Sequence, residues 1–520
     1  MQFERIRKNH KRKIIIGGLI LVCVISAITI TTTRAKYKLT EDTPLVRGTI
    51  NYKEPDLRIM AVSISEDGIN YNIVEEIPTS GYNFNSEKSV CKVAAETSGI
   101  ENAPKDNNIT MEYKDGKINF LGITKKGTRC YLYFDKERDT TKPTITNVTT
   151  SVTKTEINVS VTATDDKGVT EYWYRLDSNT PVKGTGNTYK FTGLSVGTMY
   201  SVKVYVKDAA GNQSDITTKS VQTTPNTASE TILGNITVNS GTPNFANAAT
   251  TDEGVFKAND GMYGGYSYYW RGAVTNNYVK FANKCWRIIR INGDDSMRLI
   301  YDGSSCRANG TSTTESSAVA NQAYNLNYDR SEYVGYTYTT GSQRTLSGTA
   351  SNLKTQNETW YNSNIGNNSI YSSKIADGKY CNDRNAASGY SWSSQPARYF
   401  YYGGYDRTNG NPTLSCASND VYTLKVGAIT MDEVIMAGGV YGKGNNSYYL
   451  SGGYWTMSPY NWSYNTSTNR FARVFCVRGD GELFAYNVDF TMSVRPVINL
   501  RSNVTFSSGN GTQSNPYVVA

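Results

Sequence analysis

Histidine is almost missing from this chain of 520 residues: there is one, His10. It lies in a basic N-terminal head, so the rest of the chain offers no imidazole to a Ser or Cys nucleophile and none to a zinc site. Charge is sparse as well, at 19% of residues. No CxxC occurs, which removes the common zinc and thioredoxin-like redox patterns. The net charge of +9 would suit nucleic acid, yet no basic stripe interleaved with aromatics comes after the head, and nucleic acid is discounted as a partner. The C-terminal NPYVVA brings no second hydrophobic stretch and no sortase-like sorting signal, so the expected tether is N-terminal.

That tether is visible near the start. Residues 1–13 form a basic head, with Arg5, Arg7, Lys8, Lys11, Arg12 and Lys13 against Glu4. Ile14 to Ile30 is then an uncharged run of seventeen residues, near the lower limit of roughly 17–25 for a membrane span. The segment 14–35 is expected as a transmembrane anchor or a signal, with cleavage after Ala35 as the alternative to retention. Positive charge ahead of the run keeps the N-terminus inside and exports the remainder of the chain, giving a single-pass cell-membrane protein with its bulk extracellular, or a secreted one after cleavage. Cys23 reads as an apolar membrane residue, because bulky Leu21 and Val22 precede it where a lipid-attachment site needs small ones.

Seven further cysteines agree with an oxidising compartment. Nearest-neighbour pairing within the expected domains joins Cys91 to Cys130, Cys285 to Cys306 and Cys381 to Cys416. Each bond would be worth on the order of 3–4 kcal/mol in the chain-entropy model. Cys476 is left over, either free and buried or available to another chain.

With 45 glycines and 40 tyrosines, the composition points to a mainly β chain with a minor α+β part. At roughly 100–200 residues per domain, three or four units are expected. Short alternating runs make 50–136 a small β domain. A charged linker comes next, and Pro143 opens a module at 142–224 in which Ile157, Val159, Val161 and Val202, Val204, Val206 alternate with polar residues, the period-two pattern of strands with one buried face. Trp173 or Tyr174 should face inward there. Asp165-Asp166 offers carboxylates that could hold calcium or serve an ordinary solvated turn. Leu194 stands six residues before Tyr200 in GLSVGTMY, and on that spacing the module resembles the fibronectin type III domain, with Val196 in the place of the usual Pro. The resemblance implies a β-sandwich spacer; a bacterial immunoglobulin-like sandwich is the close alternative. The stretch 225–252, rich in Thr, Asn, Gly, Ser and Pro near its start, reads as a flexible linker.

Beyond it, 253–520 carries six of the seven tryptophans. Cys285 to Ile291 and Met297 to Tyr301 form a hairpin by their own turn chemistry at Asn292 to Asp295. One helix surrounds Trp360-Tyr361. Another starts at Thr430, where Thr430 and Glu433 have capping-box spacing, and stops at Gly438-Gly439. After YWTMSP at Tyr454 to Pro459, residues Tyr460 to Asn469 read as a polar, aromatic loop. A hairpin succeeds it, from Phe471 to Val477 and Leu483 to Val488, and Val494 to Leu500 closes the chain as a strand. CWRIIRI, YWTMSP and SVRPVINL together resemble an uncharacterised family of bacterial and phage-associated surface domains with a C-type-lectin-like fold. Relatives of that fold include formylglycine-generating enzymes and the variable receptor-binding proteins made by diversity-generating retroelements. The resemblance implies recognition through the segment after Trp455 and assigns no ligand.

The residues themselves suit binding. Tyr460, Asn461, Trp462, Tyr464, Asn465 and Asn469 mix rigid aromatics with small polar groups, as adaptable binding surfaces do, and Trp and Tyr stack on sugar faces. Arg478, Asp480, Tyr486 and Asn487 extend the candidate surface through the next hairpin. Arg478-Gly479-Asp480 matches an integrin tripeptide, although Asp480-Gly481 is a sufficient hairpin turn by itself. Glycoside hydrolysis would need a pair of carboxylates across a cleft; Asp294, Asp295, Glu315, Asp432, Glu433, Asp480, Glu482 and Asp489 are available, in turns and at a helix start that favour solvation and capping. Copper-dependent cysteine oxidation needs a close thiol pair, which Cys476 lacks in sequence. The expectation is a binder of an extracellular glycan or protein without catalytic residue, metal or cofactor. A purely structural envelope component is the main alternative, and a glycan-active enzyme the third.

Overall fold

The computed structural model describes residues 57–93, 105–122, 127–311, 317–342, 345–393, 396, 398–466 and 469–520. The basic head and the expected membrane segment lie outside them. Among the described residues no helix is long and apolar enough to cross a membrane. The chain divides into two compact units: one reaches to Thr149 and takes in Val159–Tyr189 and Ser201–Lys219, and the other holds Thr150–Asn158, Lys190–Tyr200 and Ser220–Ala520.

In the first unit, Arg58–Ser65 pairs in parallel with Thr128–Lys136, and three short strands extend the sheet. Ile59, Val62, Leu132 and Phe134 are buried on one face, as the alternation requires. Cys91 and Cys130 sit directly opposite each other on paired strands and are disulfide-bonded. Further along, Val182–Lys183, Val169–Leu176, Met199–Asp208 and Thr217–Gln222 form a four-stranded sheet, the first three antiparallel, while Thr188–Phe191, Ile157–Thr164 and Thr144–Val152 form a three-stranded one. The expected alternation holds, with Ile157, Val159, Val161, Val202, Val204 and Val206 all buried. Tyr174 faces inward; Trp173 faces the other way and stacks on Tyr205 at 5.8 Å. Asp165 behaves as a turn residue, its Oδ2 accepting from the backbone N–H groups of Lys167 and Gly168. Its carboxylate also lies within 4.8 Å of those of Asp139 and Asp208.

Most of the second unit is one hydrophobic core between two sheets. A ten-stranded sheet contains Tyr266–Gly272, Lys284–Ile291, Met297–Gly303 and Val497–Leu500. A six-stranded sheet contains Thr491–Val494, Tyr454–Thr466, Asn469–Val477 and Leu483–Asn487, with Tyr399–Tyr401 paired on the far side of Tyr454–Thr466. Trp270, Trp286 and Trp455 are fully buried in this core. Cys285 bonds Cys306 and Cys381 bonds Cys416, as nearest-neighbour pairing expects, and Cys476 is free and buried.

Helices stand where the caps place them. Asn352–Tyr361 contains Trp360-Tyr361, and Met431–Ala437 has both capping-box bonds between Thr430 and Glu433. It ends at Gly438, whose φ of +117° favours glycine.

Three expectations need correction. Tyr460 to Thr466 is strand, not loop: flanked by Tyr399–Tyr401 and Asn469–Val477, it finds ladder partners on both sides, which outweighs its polar composition. The stretch 225–252 is not a free linker, because Ala228–Leu233 is a helix with a Thr227–Glu230 capping box and buried Ala228 and Ile232, and Val238–Asn239 joins the ten-stranded sheet. The closing strand is split. Arg495-Pro496 carries the chain from the six-stranded sheet to the ten-stranded one, since proline has no N–H to continue a ladder.

Candidate functional site

The strand correction decides which of the expected binding residues can meet a ligand. Asn461, Trp462 and Ser463 are buried, Trp462 at 3% exposure, and Trp462 belongs to the core. Tyr464 and Asn469 are half-buried and Asn465 is exposed. Asn465 accepts a hydrogen bond from the Tyr399 hydroxyl at 3.0 Å, and Arg470 lies over the Tyr464 ring at 5.4 Å.

Around Tyr460 the sheet carries a run of aromatic rings in mutual contact. Tyr401, from the edge strand, meets Tyr405 at 4.4 Å and Tyr460 at 5.6 Å. Tyr441, just past the end of helix Met431–Ala437, stacks on Tyr460 at 5.8 Å and gives it a 3.0 Å hydroxyl hydrogen bond. It also stacks on Phe484 at 6.4 Å. Phe484 and Tyr486 are two apart on one strand and therefore share a face, with ring centroids 5.2 Å apart, and Tyr486 stacks on Phe490 at 4.6 Å. Burial, with the Tyr441 bond next, raises the Tyr460 phenol far above its ordinary value, so it remains a neutral donor and acceptor.

Both ends of the run are open: Tyr405 is 40% exposed and Phe490 50%. At the Phe490 end, a groove of about 430 Å³ lies between Arg473, Tyr486, Asn487, Asp489 and Phe490. Arg473 donates to Asn487 Oδ1 at 3.0 Å and has no carboxylate partner among the described ion pairs, and Asp489 is exposed. The groove thus pairs stacked aromatic faces with a guanidinium, an amide and a carboxylate.

Of the expected residues, Tyr486 and Asn487 line this groove, and Tyr460 belongs to the aromatic run that leads to it through Tyr441 and Phe484. Arg478 adjoins them, its guanidinium 5.2 Å over Phe484 and 2.7 Å from Glu482. Asp480 is exposed but turns inward on its own hairpin, accepting from the Glu482 N–H at 3.2 Å. Tyr401, Tyr405, Tyr441, Phe484, Phe490 and Arg473 were not foreseen. Phe484 and Tyr486 two apart, Phe490 four further on and Arg473 opposite Asn487 in the same hairpin were readable signals; Tyr401, Tyr405 and Tyr441 converge from distant segments and had none.

The carboxylates are arranged otherwise than expected. Glu433 caps the helix, Asp432 accepts from Arg407 and the Thr413 N–H, and both are buried, not solvated. Arg290 and Arg298 bind Glu433 at 3.1 and 2.5 Å, and Arg290 also binds Asp260 at 2.8 Å. Burial alone would raise Glu433, but the two guanidinium groups hold it below the ordinary glutamate value. Cys476 has no thiol neighbour among the described residues, and burial raises its own thiol well above the ordinary range.

No family model matches the chain, and no curated protein matches it. Among solved structures, it is similar to FN3tt, with 19% identity over 16% of this chain and 95% of that one, at a TM-score of 0.14. It is also similar to the fn3 domain of human collagen alpha-1(XX) chain, with 20% identity over 18% and 94%, at 0.15. A third likeness, to the chitinase ChiA74 from Bacillus thuringiensis, has 21% identity over 37% of this chain and 23% of that one, at 0.16.

Proposed function

We propose that the chain is an exported surface protein whose C-terminal part binds a glycan or a protein outside the cell, through the aromatic run between Tyr405 and Phe490. The single observation that carries the reading is the Phe490 groove, where an exposed ring stacked on Tyr486 adjoins Arg473, Asn487 and Asp489. Aromatic faces supply contact area at low entropic cost, and the amide and charged groups fix orientation through hydrogen bonds to hydroxyls. Three disulfides support export, since such bonds persist in oxidising compartments. On this reading the seven strands between Thr144 and Gln222 are a fibronectin type III-like spacer, the part beyond Glu253 is a C-type-lectin-like head, and the N-terminal segment anchors the chain or is cleaved.

Binding of the full extracellular chain to glycan and surface-protein arrays tests this. Tyr486→Ala plus Phe490→Ala should lower affinity at least about tenfold, or about 1.4 kcal/mol, and Phe490→Ala alone, at an exposed ring, should weaken binding while melting stays near wild type. Binding that ignores both substitutions would remove this face, and no binding to any array would favour a structural envelope role.

A further inference from the structure

The second unit holds another polar site. A cavity of about 280 Å³ lies between the loop closed by Cys381–Cys416 and the start of helix Met431–Ala437. Its rim includes exposed Asn385 and Ser415, and its walls include buried Asp383, Asp432 and Glu433.

The charges on these walls divide into matched and unmatched sets. Glu433 and Asp260 are balanced by Arg290 and Arg298. Arg407, in contrast, is shared: it holds Asp432 at 2.7 Å and Asp383 at 2.7 Å, so that trio carries one negative charge in excess when ionised. Burial, and the neighbouring Asp383, raise the Asp432 carboxyl above its ordinary value, as an excess negative charge should. On the same cavity Lys379 has no carboxylate partner among the described residues. Its ammonium donates to the Met262 carbonyl at 2.6 Å and lies 5.1 Å over the Tyr263 ring. An ammonium has three donors, so about two stay unused. Among the described residues the Asp383 carboxylate accepts from Arg407 alone, and it has lone pairs to spare. Its φ of +46° lies in the left-handed region, which Asp adopts more readily than most non-glycine residues.

We infer that this cavity binds a small zwitterion of the α-amino-acid class, with the ligand ammonium on Asp383 and Asp432 and the ligand carboxylate on Lys379. A lone cation would satisfy the carboxylates and leave Lys379 unmatched; a lone anion would do the reverse. Size sets the same limit, because the cavity falls just under the roughly 300–1,000 Å³ usual for drug-sized ligands.

Titration calorimetry on the full extracellular chain tests the assignment, using the common L-amino acids together with methylamine, acetate and calcium as part-ligand probes. At least one amino acid should bind at millimolar concentration or below, at least about tenfold more tightly than methylamine or acetate. Lys379→Met should weaken it at least about tenfold. That substitution leaves the Asp383–Arg407–Asp432 trio in place, so an unchanged melting temperature will show that folding persists. Asp383→Asn should weaken it as well. No heat with any amino acid, equal binding of methylamine or calcium alone, or affinity indifferent to Lys379→Met would each overturn the proposal.

Discussion

At the residue scale, burial separates side chains that look alike in the sequence. Trp462 is a core residue, so Trp462→Ala should act on stability before binding. A loss of about 3–5 kcal/mol is expected in denaturant unfolding, as for other large-to-small core changes. Phe490→Ala, at an exposed ring, should leave unfolding within about 0.5 kcal/mol of wild type. Glu433 gives a pH signature. Its folded-state pKa lies below the ordinary 4.5, so its stabilisation is present above that value and is lost as the pH falls through the lower folded one. Melting temperature should therefore drop as the pH is taken below about 4.5, and Glu433→Gln should start lower and fall less steeply. An acid limb as steep in Glu433→Gln as in wild type would assign the effect to other carboxylates, such as Asp260.

At the scale of single elements, the capped helix and the hairpin turn hold the candidate face in place. Thr430→Ala removes the side-chain acceptor for the Glu433 N–H and should cost about 1 kcal/mol by chemical denaturation. Gly481 turns the hairpin between Asn469–Val477 and Leu483–Asn487 at φ +78°, and a Cβ there would stand 1.7 Å from the Asn445 carbonyl oxygen. Gly481→Ala should thus destabilise by more than about 1 kcal/mol, and should also weaken ligand binding by displacing Phe484 and Tyr486. The helix at Thr430 was legible because its cap is local chemistry. The strand at Tyr460 was not, because ladder partners arrive from Tyr399–Tyr401, some sixty positions earlier.

For the molecule as a whole, covalent links and a large core set the tolerance to reduction. Reducing the three disulfides should lower the melting temperature substantially, each bond contributing on the order of 3–4 kcal/mol in the chain-entropy model. Cys476 should resist thiol reagents in the native chain and react on unfolding, which mass spectrometry of alkylated protein would read. Rapid native labelling would mean that the sheet around it opens easily.

Local patterns sufficed for much of this protein. Alternating valines announced the strands of the module at 142–224, Thr430 and Glu433 announced a helix, and pairing nearest cysteines gave the disulfides, since all three depend on residues close in sequence. Tertiary structure alone decided which aromatics are core and which are surface, and that Asp432 and Glu433 are buried among arginines. It also decided that Tyr401, Tyr405, Tyr441 and Tyr460 meet. These outcomes depend on which segments pack together, and burial and long-range charge pairing exist only once distant stretches of chain are brought within a few ångströms of each other.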